Sequence, residues 1–218
     1  NVNGYNGTGG TGFKLNINGG TVTIMPPVGV PSGPVVQPFG LILSTTQLSI
    51  DNNATLYLGS YDTSIRSLSG NGQIGIAGSK LTISGGTFST GITGASRLIF
   101  SGTQDESVWS GVGQSIGTLE VRSGARLTTT NPTAVESTTG LQIDGTYNLG
   151  SSLVVDAFNG NGHVVMADGE RLTVGSQGAD ATFGGVLSGN GSMLQKEGSG
   201  TLSLSGSNVY TGGTVVNG

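Results

Sequence analysis

Residues 183–218 read FGGVLSGNGSMLQKEGSGTLSLSGSNVYTGGTVVNG. The informative order is Phe183, Gly185, Leu187, Gly189, Gly191, Leu194, Lys196, Gly198, Gly200, Leu202, Leu204, Gly206, Asn208, Tyr210, Gly212, Thr214, Val216 and Gly218. Pairs such as Leu202 and Leu204 stand two residues apart, which puts them on one face of a short strand. The glycines and asparagines between such pairs tolerate the left-handed backbone of tight corners. Strand, corner and strand at this spacing form the pattern of one rung of a coiled β-solenoid.

The same alternation runs through the rest of the chain. Leu48-Ser-Ile50, Leu56-Tyr-Leu58, Leu119-Glu-Val121, Leu141-Gln-Ile143 and Leu172-Thr-Val174 each present two apolar side chains to one face. A chain with 42 glycines and 9% charged residues would otherwise raise the question of low-complexity disorder. Regular apolar alternation argues against that, and no stretch has helical periodicity of useful length, so the chain reads as all-β.

Internal repetition narrows the architecture. Three Gly-Asn-Gly segments stand in matching contexts, Leu68-Ser-Gly-Asn71-Gly-Gln-Ile74, Phe158-Asn-Gly-Asn161-Gly-His-Val164 and Leu187-Ser-Gly-Asn190-Gly-Ser-Met193. Leu81-Thr-Ile83, Leu172-Thr-Val174 and Leu202-Ser-Leu204 follow them at similar distances. The leucines that begin comparable strands, Leu56 and Leu81, then Leu127, Leu149 and Leu172, lie roughly 22 to 25 residues apart, about one turn of a three-sided parallel β-helix. That period predicts a single right-handed parallel β-helix over 1–218 with about eight to ten coils. A β-sandwich would leave the recurring Gly-Asn-Gly segments unexplained. Asn161 and Asn190, close to one coil apart, are expected to stack as a short side-chain ladder.

On the residues quoted first, 181–218 resembles the passenger-associated transport repeat (autotransporter-associated β-strand repeat) of bacterial autotransporters. One departure is that four residues, 192–195, separate Gly191 from Lys196 where three are expected; a small bulge before Leu194 would absorb the difference. The resemblance implies a secreted, cell-surface β-helical passenger without enzymatic activity of its own. In the full-length protein its partner is a C-terminal outer-membrane β-barrel, and the passenger presents adhesive surface to a host-surface or bacterial-surface protein or glycan. It also implies that the 181–218 repeat aids secretion and folding. The chain is expected to be a piece of such a passenger, without its signal peptide and barrel. The absence of cysteine suits passage through a narrow barrel, because disulfide loops would obstruct an extended chain.

Two segments break the rhythm. Residues 25–40, MPPVGVPSGPVVQPFG, hold five of the six prolines, and proline cannot donate to a sheet ladder. A loop is expected there, either a linker that covers the wall or a protrusion that meets a partner through Val28, Val30, Val35, Val36 and Phe39. Residues 102–114, GTQDESVWSGVGQ, make the path between neighbouring leucines longer and predict a second loop insertion. Its Trp109 either stacks on a sugar or caps the core. Asp105 and Glu106 are adjacent, so their side chains point apart and make a poor acid–base pair.

Charge and chemistry exclude several classes. A net charge of −4, with eight scattered Lys and Arg, does not suit nucleic acid. No stretch is long and apolar enough to be a membrane-spanning helix. His163 is the sole histidine; its counterparts Gln73 and Ser192 are polar, which predicts an outward, replaceable position. Gly70, Gly72 and Gly75 satisfy G-x-G-x-x-G, but a second strand follows where a dinucleotide site needs a helix. The Gly-Asn-Gly copies lack the spaced Asp of calcium-binding repeats, so neither metal nor cofactor is expected. A carbohydrate-binding or polysaccharide-processing β-helix is the alternative. Processing would require charged side chains to converge on one groove, whereas Asp51, Asp62, Asp144, Asp156, Asp168 and Asp180 are spread along the chain.

Overall fold

Leu81 pairs in register with Leu98, Leu98 with Leu119, Leu119 with Leu141, and Leu141 with Phe158. Five residues from distant parts of the chain therefore stand one above another at the ~4.8 Å spacing of a parallel ladder. The computed structural model describes residues 2–4, 14–17, 20–23, 43–132, 134–135 and 139–218. Among these there is no helix, and the parallel strands stack into a β-solenoid of about eight turns.

The turns have three walls. The first contains Lys80–Ile83, Arg97–Phe100, Thr118–Val121, Gly140–Ile143 and Phe158–Asn159, then Ala181–Phe183 and Leu202–Leu204. The second runs through Gly86–Phe88, Ser107–Trp109, Arg126–Thr129, Thr146–Leu149, His163–Met166, Val186–Gly189 and Val209–Tyr210. Leu43–Ile50 and Thr63–Gly70 bend around the corner between these two walls and belong to both. The third wall carries Gly20–Thr23, Ala54–Tyr57, Gln73–Gly75, Gly91–Thr93 and Gly113–Gln114, and resumes with Leu153–Val155, Arg171–Val174, Met193–Lys196 and Thr214–Val216. The antiparallel pair of Val2–Gly4 with Lys14–Ile17 departs from this pattern.

Inward positions alternate with outward ones, as in Lys80–Ile83, where Leu81 and Ile83 are buried and Lys80 is exposed. Burying one such side chain contributes roughly 1.5–3 kcal/mol, and the ladder repeats the contribution in every turn. The aromatic residues concentrate it. Phe88, Phe100 and Trp109 meet at centroid distances of 6.2–6.5 Å, and Phe158 stacks on Phe183 at 4.2 Å. Tyr147 is also fully buried, and its hydroxyl shares a 2.9 Å hydrogen bond with Thr129. Burial pushes its phenol well above the usual tyrosine range.

The corner motif follows from close approach between coils. Gly70 and Gly160, the first glycines of two Gly-Asn-Gly segments, have φ of +96° and +119°. A Cβ on either would lie 2.2 Å from the Ile50 carbonyl oxygen or 2.1 Å from that of Ile143. Only glycine fits there.

The register corrects three sequence expectations. Asn161 turns the chain from the first wall to the second, whereas Asn71 and Asn190 turn it from the second to the third. Since His163 pairs with Val186, the neighbour of Asn161 one coil on is Gly184, and no Asn161–Asn190 ladder forms. Similarly, Leu56, Leu81 and Leu127 lie on three different walls, and steps such as Leu48 to Leu68 and Tyr147 to Val164 are shorter than the expected period. Lastly, the stretch 102–114 carries Ser107–Trp109 and Gly113–Gln114 in ladder register, so its second half is wall and not an inserted loop. The proline-rich segment 25–40 lies outside the described residues.

Asp and Asn side chains close the ladder where strands stop. Asp62 accepts the Lys80 N–H, Asp144 that of Asn161, Asp156 those of Gln177 and Ala179, and Asp180 that of Thr201, over 2.7–3.2 Å. Each carboxylate thus satisfies a backbone donor of the following coil.

Two measurements follow. Gly160→Ala should lower the melting temperature clearly more than Gly169→Ala, since Gly169 has open space around its α-carbon and only the left-handed backbone penalty of about 1 kcal/mol applies. In an alkaline titration, the stability contributed by neutral Tyr147 is fully present below the unfolded pKa of about 10. It is lost as pH rises beyond that, and Tyr147→Phe should remove this part of the alkaline unfolding.

Candidate functional site in the C-terminal coil

The last turn begins on the third wall at Met193–Lys196, crosses the first wall at Leu202–Leu204 and the second at Val209–Tyr210, and regains the third at Thr214–Val216. Leu194 pairs with Thr214 and Lys196 with Val216, so the chain has come round once. Leu194 is fully buried, Leu202, Leu204 and Tyr210 are half-buried, and Val209 and Val216 are exposed.

Lys196 occupies an inward position. Val155, Val174, Lys196 and Val216 form one ladder column on the third wall, and the Lys196 side chain is buried. Its stem replaces a valine in the core, while Nζ donates to the carbonyl oxygens of Glu197 and of Gly198, the latter at 2.9 Å. A lysine has three donors and no acceptor, so its ammonium can bind both corner carbonyls. Alternation identifies position 196 as inward, but lysine masks the signal because it is rarely buried.

Asn208 works from outside the ladder. Its Oδ1 accepts the Leu187 N–H of the previous coil at 2.9 Å, and its Nδ2 donates to Gly206 at 3.2 Å. The motif glycines Gly198, Gly200, Gly206 and Gly212 all lie against carbonyl groups of that previous coil. At Gly206 the approach would leave an added Cβ 1.7 Å from the Gly185 oxygen. Ser192, the extra residue before Leu194, is fully buried, with its hydroxyl on the Ala167 carbonyl at 2.8 Å. It is therefore not the outward counterpart of His163, which is exposed. Phe183 belongs to the preceding turn and stacks on Phe158. Gly189 and Gly191 form the corner from the second wall to the third, and Tyr210 hydrogen-bonds Thr214 across the next such corner.

The other sequence candidates fare differently. Trp109, considered as an exposed sugar platform, is completely buried. Its Nε1 donates to the Thr90 carbonyl at 3.0 Å, and the ring is accommodated because Gly113 carries no side chain. Val28, Val30, Val35, Val36 and Phe39 lie outside the described residues. Glu106 accepts hydrogen bonds from Thr128 and from Asn148 of the next two coils, a surface stitch. On the outer first wall, Glu120 takes Arg97 and Arg122 at 2.9 and 2.8 Å. These charges are satisfied by one another.

The geometry is that of a structural β-solenoid. Residues 194–218 match the family model of the passenger-associated-transport-repeat, and the C-terminal coil is such a repeat. The match begins at Leu194 and not at 181. Neither curated proteins nor solved structures give a match. Repeat and fold together fit an autotransporter passenger stalk, and the repeat implies a secreted or surface protein. No helix among the described residues is long and apolar enough to cross a membrane.

Lys196→Met keeps the buried stem but strands two carbonyl groups. Loss of a charged hydrogen bond is worth about 1.5–3 kcal/mol, and a solenoid loses its end coils first. Hydrogen exchange should therefore accelerate at the amides of 193–196 and 214–216, with little change at 97–121.

Proposed function

We propose that this chain is an extracellular stalk of a bacterial autotransporter passenger, which holds adhesive surface away from the cell, and that its C-terminal coil promotes passenger secretion and folding. The observation that carries the reading is the coincidence of the family repeat with one whole turn of the solenoid. That turn stitches itself to the coil before it through Asn208, Lys196 and a set of closely packed glycines. A turn built this way offers an ordered edge on which a neighbouring coil can form, because in a solenoid each coil is stabilised by its neighbours. Folding that proceeds from such an edge would draw the emerging chain outward. The partner in secretion is the passenger's own β-barrel, and the partners of the stalk's walls are surface proteins or glycans.

Deletion of 194–218 from the full-length protein should reduce surface display several-fold while synthesis is unchanged. Asn208→Ala should lower it less, with greater sensitivity of the displayed passenger to protease. Undiminished display of the deletion protein would overturn the secretion and folding role.

A further inference from the structure

The outer face of the third wall is not flat. On it, Tyr57 pairs with Gly75, Gly75 with Thr93, and Thr93 with Gln114, so these residues form one outward column along the solenoid axis. Beside it Gln73 pairs with Gly91. Two outward positions that would carry side chains on an ordinary wall are therefore glycine, and glycine inside a strand is a mark of close approach by a ligand or another chain.

The neighbours show how the space is used. The ring of Tyr57 rests its Cδ1–Cε1 edge over Gly75, where an added Cβ would be 2.5 Å away, yet the residue is 47% exposed. Gln73 lays its amide across Gly91, with Oε1 2.2 Å from where a Cβ would stand. Two hollows result, of about 460 and 400 Å³, the first beside Tyr57 and the second between Gln73 and Gln114. Thr93 lines both, so the two hollows adjoin as a trough with Thr93 between them. Their volumes lie within the range of ligand sites.

We infer that this trough is a binding site for a neutral, linear oligosaccharide. Its lining has one half-exposed aromatic ring, side-chain amides and hydroxyls, and no charged residue. A sugar ring offers an apolar C–H face to an aromatic ring and hydroxyls to amides that both donate and accept. An anionic glycan would find no cation here, and a cationic one no carboxylate. The column runs along the solenoid axis with a residue every ~4.8 Å, so an extended chain laid along it would pass the coils one after another. Tyr57 stands on an outward position, whereas Trp109 faces the core. The inference rests on the reading of the walls as adhesive surface and names their ligand.

The purified chain should be tested on an array of linear hexasaccharides of glucose, mannose, galactose and xylose, with hyaluronan and chitosan hexasaccharides as charged comparators. At least one neutral hexasaccharide should bind, and the charged ones should bind more weakly. Tyr57→Ala should weaken that binding at least about tenfold, as loss of an aromatic anchor does. Thr93→Lys, which places a charged side chain between the two hollows, should abolish it. Val165→Ala, at an exposed position on the second wall, should bind as the parent does. Melting temperatures of all three variants establish that the fold is kept. Absence of neutral-glycan binding, or equal binding by Tyr57→Ala and Thr93→Lys, overturns the site. Because the assay needs no secretion, a protein that is displayed normally but binds none of the neutral hexasaccharides overturns the trough and leaves the stalk standing.

Discussion

An inward side chain in this solenoid packs on its counterpart one coil away, at a distance set by the parallel hydrogen-bond ladder, so each turn must bring the backbone back into register. Everything else in the structure accommodates that demand. Leu81, Leu98, Leu119 and Leu141 can form a continuous column because the chain between them always closes. Turns of unequal length are allowed provided that the extra residues leave the wall at a corner. A wall residue has no such freedom, since a shift by one would exchange the inner and outer faces.

Corners and polar stitches make closure possible without disulfides. A glycine such as Gly160 lets the backbone of one coil touch a carbonyl of the last. Where a strand ends and its N–H groups would go unpaired, Asp156 or Asp180 of the preceding coil accepts them. These carboxylates are spread along the sequence because strand ends recur along the sequence. Lys196 solves the complementary problem, binding exposed carbonyl groups with an ammonium carried on a buried stem.

A wall built this way is a rigid ruled surface, and binding on it depends on the outward positions. Most of these carry side chains, but on the third wall Gly75 and Gly91 are covered by Tyr57 and Gln73, with a hollow beside each. The inner face determines the shape of the solenoid, and the outer face determines what it presents.

Much of this was legible beforehand. Two-residue alternation showed which leucines, isoleucines and valines face inward, Gly-Asn-Gly marked corners, and the order of glycines and leucines in 183–218 pointed to the repeat that the family model matches over 194–218. The wall on which each strand lies was not legible, because a corner has the same local chemistry wherever it occurs: Asn161 and Asn190 share a motif yet turn the chain between different walls. Whether Trp109 stacks on a sugar or caps the core was open for a related reason, since its place in the column of Phe88 depends on register across coils. The sequence by itself therefore determined the solenoid, its inward residues and its repeat, all of which follow from local periodicity and backbone conformation. Only the tertiary structure decided the register, the burial of Trp109 and Lys196, and the trough beside Tyr57, because these depend on which residues of different coils are brought within a few ångströms of one another.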